Sequence, residues 1–189
     1  MEKEIRNIQS ELRNASGRHI EGYAVRFNSM SEDMGFFETI APDAITEDTI
    51  KNSDVFALLN HESDKVLARS KNGVGNLKLT IDKNGVKYSF DALNSPLGDE
   101  VLEYIRSGII TSSSFAFSIA PDGDKWERRN GKDYRTITKI AKLYDVSPVY
   151  CPAYASTSCS CRSYENFKRE KKLMKQLELY IKLGWLNYL

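Results

Sequence analysis

The chain has 189 residues, 41% of them hydrophobic, enough for one domain with a buried core plus a tail and too few for two full-sized domains. Its 27 basic and 26 acidic residues leave a formal net charge of +1, so no global charge argues for nucleic acid. No apolar run approaches the roughly 18 residues of a membrane span, and the opening Met1-Glu2-Lys3-Glu4-Ile5-Arg6 lacks the apolar core of an export signal; this reads as a soluble, unexported protein.

Residues 1–14 are charged and mixed, a first strand or a loose arm. Ala15-Ser16-Gly17-Arg18 has turn composition, and His19 to Phe27 alternates as a strand. Asn28 to Gly35 is polar and loop-like, Phe36 to Ile40 is a short strand, and Pro42 opens a helical turn that continues through Ala44, Ile45 and Ile50. Val55-Phe56-Ala57-Leu58-Leu59-Asn60-His61 is an apolar run closed by polar residues, which predicts a strand buried on both faces with His61 at its rim. Leu77–Ile81 and Val86–Phe90 flank Asp82-Lys83-Asn84-Gly85, a hairpin signal.

Ser95-Pro96 starts a helix with a capping hydroxyl and a proline at its first position. Leu97, Val101, Leu102 and Ile105 form its apolar stripe, and Gly108 ends it. Ser112 to Ile119 follows as a strand that begins with three serines. A charged strand around Trp126 lies between two turns, and Tyr134–Ile140 and Lys142–Val149 are further strands. Many short strands with few helices predict a mainly β fold, a barrel or sandwich with peripheral helices. From Tyr164 the composition changes: residues 164–189 carry six basic and three acidic residues, with Phe167, Leu173, Met174, Leu177, Tyr180, Ile181 and Trp185 near helical spacing. The predicted organisation is therefore a body, residues 1–163, and a basic amphipathic helical tail, residues 164–189.

A serine hydroxyl becomes a nucleophile when a base takes its proton, and the usual base is a histidine oriented by a third group. The chain has two histidines. His19 lies early in an alternating strand, whereas His61 closes a buried run. Along the serine strand, Ser113 shares a face with Phe115, Phe117 and Ile119, so a core made by the phenylalanines turns Ser113 inward. Ser112 and Ser114 share the other face with Ala116 and remain the candidates for a cleft. The orienting acid is Glu62, Asp64 or Asp145. Asp145 alternates with Leu143 and Ser147 on one side of its strand, opposite Tyr144, Val146 and Pro148.

Cys151, Cys159 and Cys161 cluster late in the chain with no histidine nearby, one ligand short of the usual zinc set. Free thiols in a reducing compartment are expected, with no metal and no cofactor.

In order and spacing, several stretches resemble the prohead proteases that mature the capsids of tailed bacteriophages. They are Ile20-Glu21-Gly22-Tyr23-Ala24, Phe37 to Ala44, Ala57-Leu58-Leu59-Asn60-His61-Glu62 and Leu67-Ala68-Arg69-Ser70. Gly108-Ile109 through Ser114-Phe115-Ala116-Phe117 and Asp145-Val146-Ser147 through Cys151-Pro152-Ala153 complete the set. The resemblance implies Ser114 as nucleophile, His61 as general base and Asp145 as the orienting third residue, with Arg69 a candidate to support the oxyanion. It also implies a closed β-barrel related to the herpesvirus assemblins. The chain departs from the family in carrying Ser112 and Ala116 where glycines are common, and Asp145 where glutamate is frequent.

The same resemblance implies a serine endopeptidase that cleaves the scaffolding segment of the major capsid protein, other prohead proteins and itself. It would act inside the procapsid in the host cytoplasm, or in the cytoplasm if prophage-encoded, self-associating and binding neither nucleic acid nor membrane. A tethering tail later removed by self-cleavage fits residues 164–189. The competing readings are a non-enzymatic β-barrel assembly or scaffolding module in the procapsid, and a cysteine or metal site on Cys151, Cys159 and Cys161.

Overall fold

A computed structural model describes residues 2–8, 12–150 and 158–182. Contacts divide the chain into two compact units, Met1–Ala155 and Ser156–Leu189. In the first, the strands are β1 (Glu4–Ile8), β2 (Arg13–Ser16), β3 (His19–Arg26), β4 (Phe37–Ile40), β5 (Asp54–Leu58), β6 (Val66–Lys71) and β7 (Val74–Gly75). They continue with β8 (Lys78–Asp82), β9 (Gly85–Asp91), β10 (Ser112–Ile119), β11 (Asp124–Arg129), β12 (Lys132–Ile137) and β13 (Ile140–Val149). Two α-helices, α1 (Glu47–Lys51) and α2 (Pro96–Arg106), and a 3-10 turn at Pro42–Ala44 join them. The second unit holds α3 (Ser158–Lys182), which begins ahead of the change in sequence pattern at Tyr164.

The mainly β architecture agrees with the short alternating segments, but among the described residues no sheet closes on itself into a barrel. Among the described residues the ladders make three open sheets: β1-β10-β13-β5-β6-β7, β2-β3-β9-β8 and β11-β12-β4. Each strand finds its hydrogen-bond partners within its own sheet, and no ladder joins one sheet to the next.

The four-stranded sheet packs on one face of the six-stranded one. Phe115 and Phe117, stacked with centroids 4.9 Å apart, lie on that face, in a core that also contains Ile20, Tyr88, Phe90, Leu143 and Val146. Ser113 faces the same way and its hydroxyl pairs with the Tyr88 hydroxyl at 2.8 Å, so a buried polar group on the core side is satisfied. The inward orientation expected for Ser113 follows from the alternation that buries the two phenylalanines.

Local chemistry fixes the segments that lead into the site. Ser95 caps α2 by accepting from the Gly98 N–H, and Pro96 occupies its first turn. Gly108, at φ +75°, ends the helical path in a left-handed conformation, and the Ile110 N–H bonds back to the Tyr104 carbonyl. This reversal delivers β10. In the β8–β9 hairpin Gly85 is required by close approach, because a Cβ there would fall 1.9 Å from the Val25 carbonyl oxygen.

A buried charge cluster sews β1 to the three-stranded sheet. Arg6 bonds Glu38 at 2.6 and 2.8 Å and Glu4 at 2.6 Å; Arg135 bonds Glu4, Glu38 and Asp124 at 2.7 to 3.0 Å. Removing one member of such a set strands the others in a low-dielectric interior. Arg135→Met is therefore expected to lower unfolding free energy by about 3–5 kcal/mol in urea titrations. Breaking the exposed Arg13–Glu21 pair should cost under about 1 kcal/mol.

Candidate active site

β5 and β13 run parallel, with Asp145 beside Phe56 and Val146 beside Ala57, so their C-terminal ends lie together. β10 runs antiparallel to β13 and begins at that same end, with Ser114 opposite Ser147. The chain leaving β5 therefore turns over the start of β10. Asn60 and His61 both adopt left-handed conformations, φ 55° and 62°. Such backbone costs about 1–3 kcal/mol at a non-glycine residue and persists only where the surroundings enforce it. Here the Asn60 N–H bonds the Pro148 carbonyl at 3.0 Å, and the Glu62 N–H bonds the Leu59 carbonyl at 3.1 Å. The strand predicted to reach His61 thus stops at Leu58, and a tight turn aims the imidazole back across the sheet.

That turn brings three side chains into a row. His61 Nε2 lies 2.5 Å from Ser114 Oγ, and His61 Nδ1 lies 2.6 Å from Asp145 Oδ1. With Asp145 ionised, Nδ1 carries the proton that it donates to the carboxylate, which leaves Nε2 as the acceptor facing the serine. Ser114 and Asp145 are buried, and the His61 side chain is 17% exposed.

A β-bulge puts Asp145 on this side of the sheet. Ala116 pairs with Asp145, but the next residue, Phe117, pairs with Leu143, so Tyr144 is the extra residue. Leu143 enters the core and Asp145 faces the site, whereas simple alternation places the two on one side. Two further residues hold the carboxylate. Ser147 donates to Oδ1 at 2.8 Å, and Lys3 donates to Oδ2 at 2.9 Å. Ser147 was accessible to sequence reasoning, since it sits two residues along the same face. Lys3 carries no local signal, because β1 brings it from the other end of the chain.

Burial pushes the Asp145 pKa up, but the hydrogen bonds and positive charges of His61 and Lys3 together outweigh it and hold the carboxyl below its ordinary 3.8. A group with a depressed folded-state pKa stabilises the fold above its unfolded value, and that contribution is lost as pH falls through the folded value. The melting temperature is therefore expected to drop on acidification below about pH 4, and Asp145→Asn should remove part of that drop. Scanning calorimetry of both proteins across this range checks it.

The remaining candidates lie apart. Glu62 pairs with Lys65. His19 pairs with Asp91 on the surface. Arg69 is on β6, three strands from β10, which places its backbone about 14 Å from that of Ala116 at normal strand spacing. Its guanidinium is committed to Asp54 at 2.5 and 2.8 Å and lies over the Phe56 ring, so an oxyanion role would require that pair to break. Ser112 shares the Ser114 face, and no hydrogen bond joins it to His61 among the described residues. The cysteine alternative falls on Cys151 and on the side chains of Cys159 and Cys161, all outside the described residues.

A serine, a histidine and a carboxylate contributed by three separate segments and joined in that order form the constellation of a serine hydrolase, recognised by geometry rather than by chain position. The sequence matches the family model of the caudovirus prohead serine proteases over residues 4–170, and the chain belongs to that family. It is a serine protease of capsid maturation. A solved structure of the bacteriophage T4 capsid assembly protease, gp21, is similar over 80% of this chain and 100% of that chain, at 12% sequence identity and a TM-score of 0.49. No curated protein matches the sequence. No helix among the described residues is long and apolar enough to cross a membrane.

Proposed function

We propose that Ser114, His61 and Asp145 are the catalytic residues of an endopeptidase that cuts capsid-associated proteins within the procapsid. The observation that carries this reading is the unbroken chain of short contacts from Ser114 Oγ through His61 to Asp145. In the proposed reaction His61 Nε2 takes the Ser114 proton as Oγ bonds to a substrate carbonyl carbon. The imidazolium that forms is stabilised by Asp145, which Ser147 holds in place. Collapse of the tetrahedral species breaks the C–N bond, and His61 passes its proton to the leaving amine. Water, deprotonated by the same imidazole, then releases the acyl group from Ser114.

The substrates fitting this setting are the scaffolding segment of the major capsid protein, other proteins enclosed in the immature shell and the protease's own C-terminal segment, residues 164–189. Co-expression with the cognate capsid protein tests the assignment. Wild type is expected to shorten the capsid protein and lose its own C-terminal segment, and Ser114→Ala and His61→Ala to do neither. Equal shortening in all three, read by mass spectrometry, overturns it.

A further inference from the structure

β1 lies directly against the nucleophile strand, with Asn7 opposite Ser114 and Ile5 opposite Ala116. It thereby covers the side of β10 away from β13, and Ser114 has no solvent exposure. The Arg6 carbonyl oxygen sits 2.9 Å from Ser114 Oγ, placed to accept its proton.

A hydroxyl has a single proton to donate. If that proton goes to the Arg6 carbonyl, His61 Nε2 must itself donate across its 2.5 Å contact to Oγ, which requires an imidazolium that cannot act as base. If the proton goes to His61, the Arg6 oxygen faces serine lone pairs at 2.9 Å with nothing between them. The two acceptors compete for the proton whose removal creates the nucleophile. The same strand also brings Lys3 onto Asp145, where its charge offsets the carboxylate that would stabilise the imidazolium.

The inner face of β1 is unusual for a permanent strand. Among its described side chains, the two buried ones are Glu4 and Arg6, an ion pair with no net charge. When both leave together, Arg135 keeps Glu38 and Asp124 as partners, and the net charge of the remaining cluster is unchanged. Moving this charged pair into water carries no hydrophobic penalty of its own.

We propose that β1 is a self-inhibitory strand: paired with β10 it holds the Ser114 hydroxyl and closes the site, and its displacement frees both the nucleophile and a strand edge for an extended substrate peptide. An exposed edge of this kind takes a peptide by main-chain pairing, with the small Ala116 beside Ser114 leaving room for its backbone. The proposal rests on Ser114 being the nucleophile.

The test uses the full chain and the rate of fluorophosphonate labelling, followed by intact mass. Ile5→Pro, which disrupts pairing along β1, is expected to label about tenfold faster than wild type or more. A second variant reports even if that substitution unfolds the protein. Ile5→Cys with Ala116→Cys, facing residues in the ladder, is made with the three native cysteines changed to serine so that oxidation ties β1 in place. The oxidised form is expected to label about tenfold more slowly than the same protein reduced. A folded Ile5→Pro protein that labels no faster than wild type, or an oxidised form no slower than the reduced one, overturns the inhibitory role. Absence of labelling in every folded form, reduced and oxidised, removes Ser114 as nucleophile and the inhibitory strand with it.

Discussion

Ser114→Ala is expected to lower kcat/KM for peptide cleavage by roughly 10⁴-fold or more while the protein keeps its fold. The residue is buried between two paired strands, and losing one oxygen there leaves a small void but no stranded charge. What disappears is the only atom of the row that can bond to a substrate carbonyl. Because the serine and histidine act as one unit, adding His61→Ala to Ser114→Ala should reduce the rate little further. Steady-state kinetics on a peptide substrate, with melting temperatures recorded alongside, separate this from simple unfolding.

Asp145→Asn is expected to reduce kcat by roughly 10³- to 10⁴-fold with KM little changed. The carboxylate accepts from Nδ1 at 2.6 Å and so fixes the imidazole tautomer that presents a bare Nε2 to the serine. A carboxamide can present its N–H₂ to Nδ1 instead, which turns the proton to Nε2 and removes the base. Ser147→Ala, which leaves the carboxylate and takes away one of its donors, should have a much smaller effect on kcat. A larger loss in Ser147→Ala than in Asp145→Asn would mean that the acid is not the orienting group.

Much of this arrangement was legible in the residues. Alternation against Phe115 and Phe117 separated the inward Ser113 from Ser112 and Ser114, and the ladder follows that division because strand periodicity is fixed by the pleat. The end of the apolar run at His61 marked where a side chain is handed to a site. Choosing Ser114 over Ser112, and Asp145 over Glu62 or Asp64, needed the family resemblance, since each alternative is chemically competent on its own.

Other features were hidden for physical reasons. The left-handed turn at Asn60–His61 depends on a bond to Pro148, a long-range contact that local propensity does not encode. The bulge at Tyr144 breaks the period on which the reading of Leu143 and Asp145 relied. The first residues left a first strand and a loose arm both open because Glu4 and Arg6 are charged; only Glu38 and Arg135, brought in by other strands, make these two buriable. The Arg69 pairing was hidden for the converse reason: a basic residue near a site motif says nothing about which acid it will pair with, and Asp54 lies on the neighbouring strand.

The most direct test of the central claim is covalent. The protein is treated with a fluorophosphonate, digested, and the adduct located by mass spectrometry. A single adduct on Ser114 is predicted, absent from Ser114→Ala and greatly slowed in His61→Ala. An adduct on Ser112 or any other residue, or labelling that persists in Ser114→Ala, would contradict the proposed site.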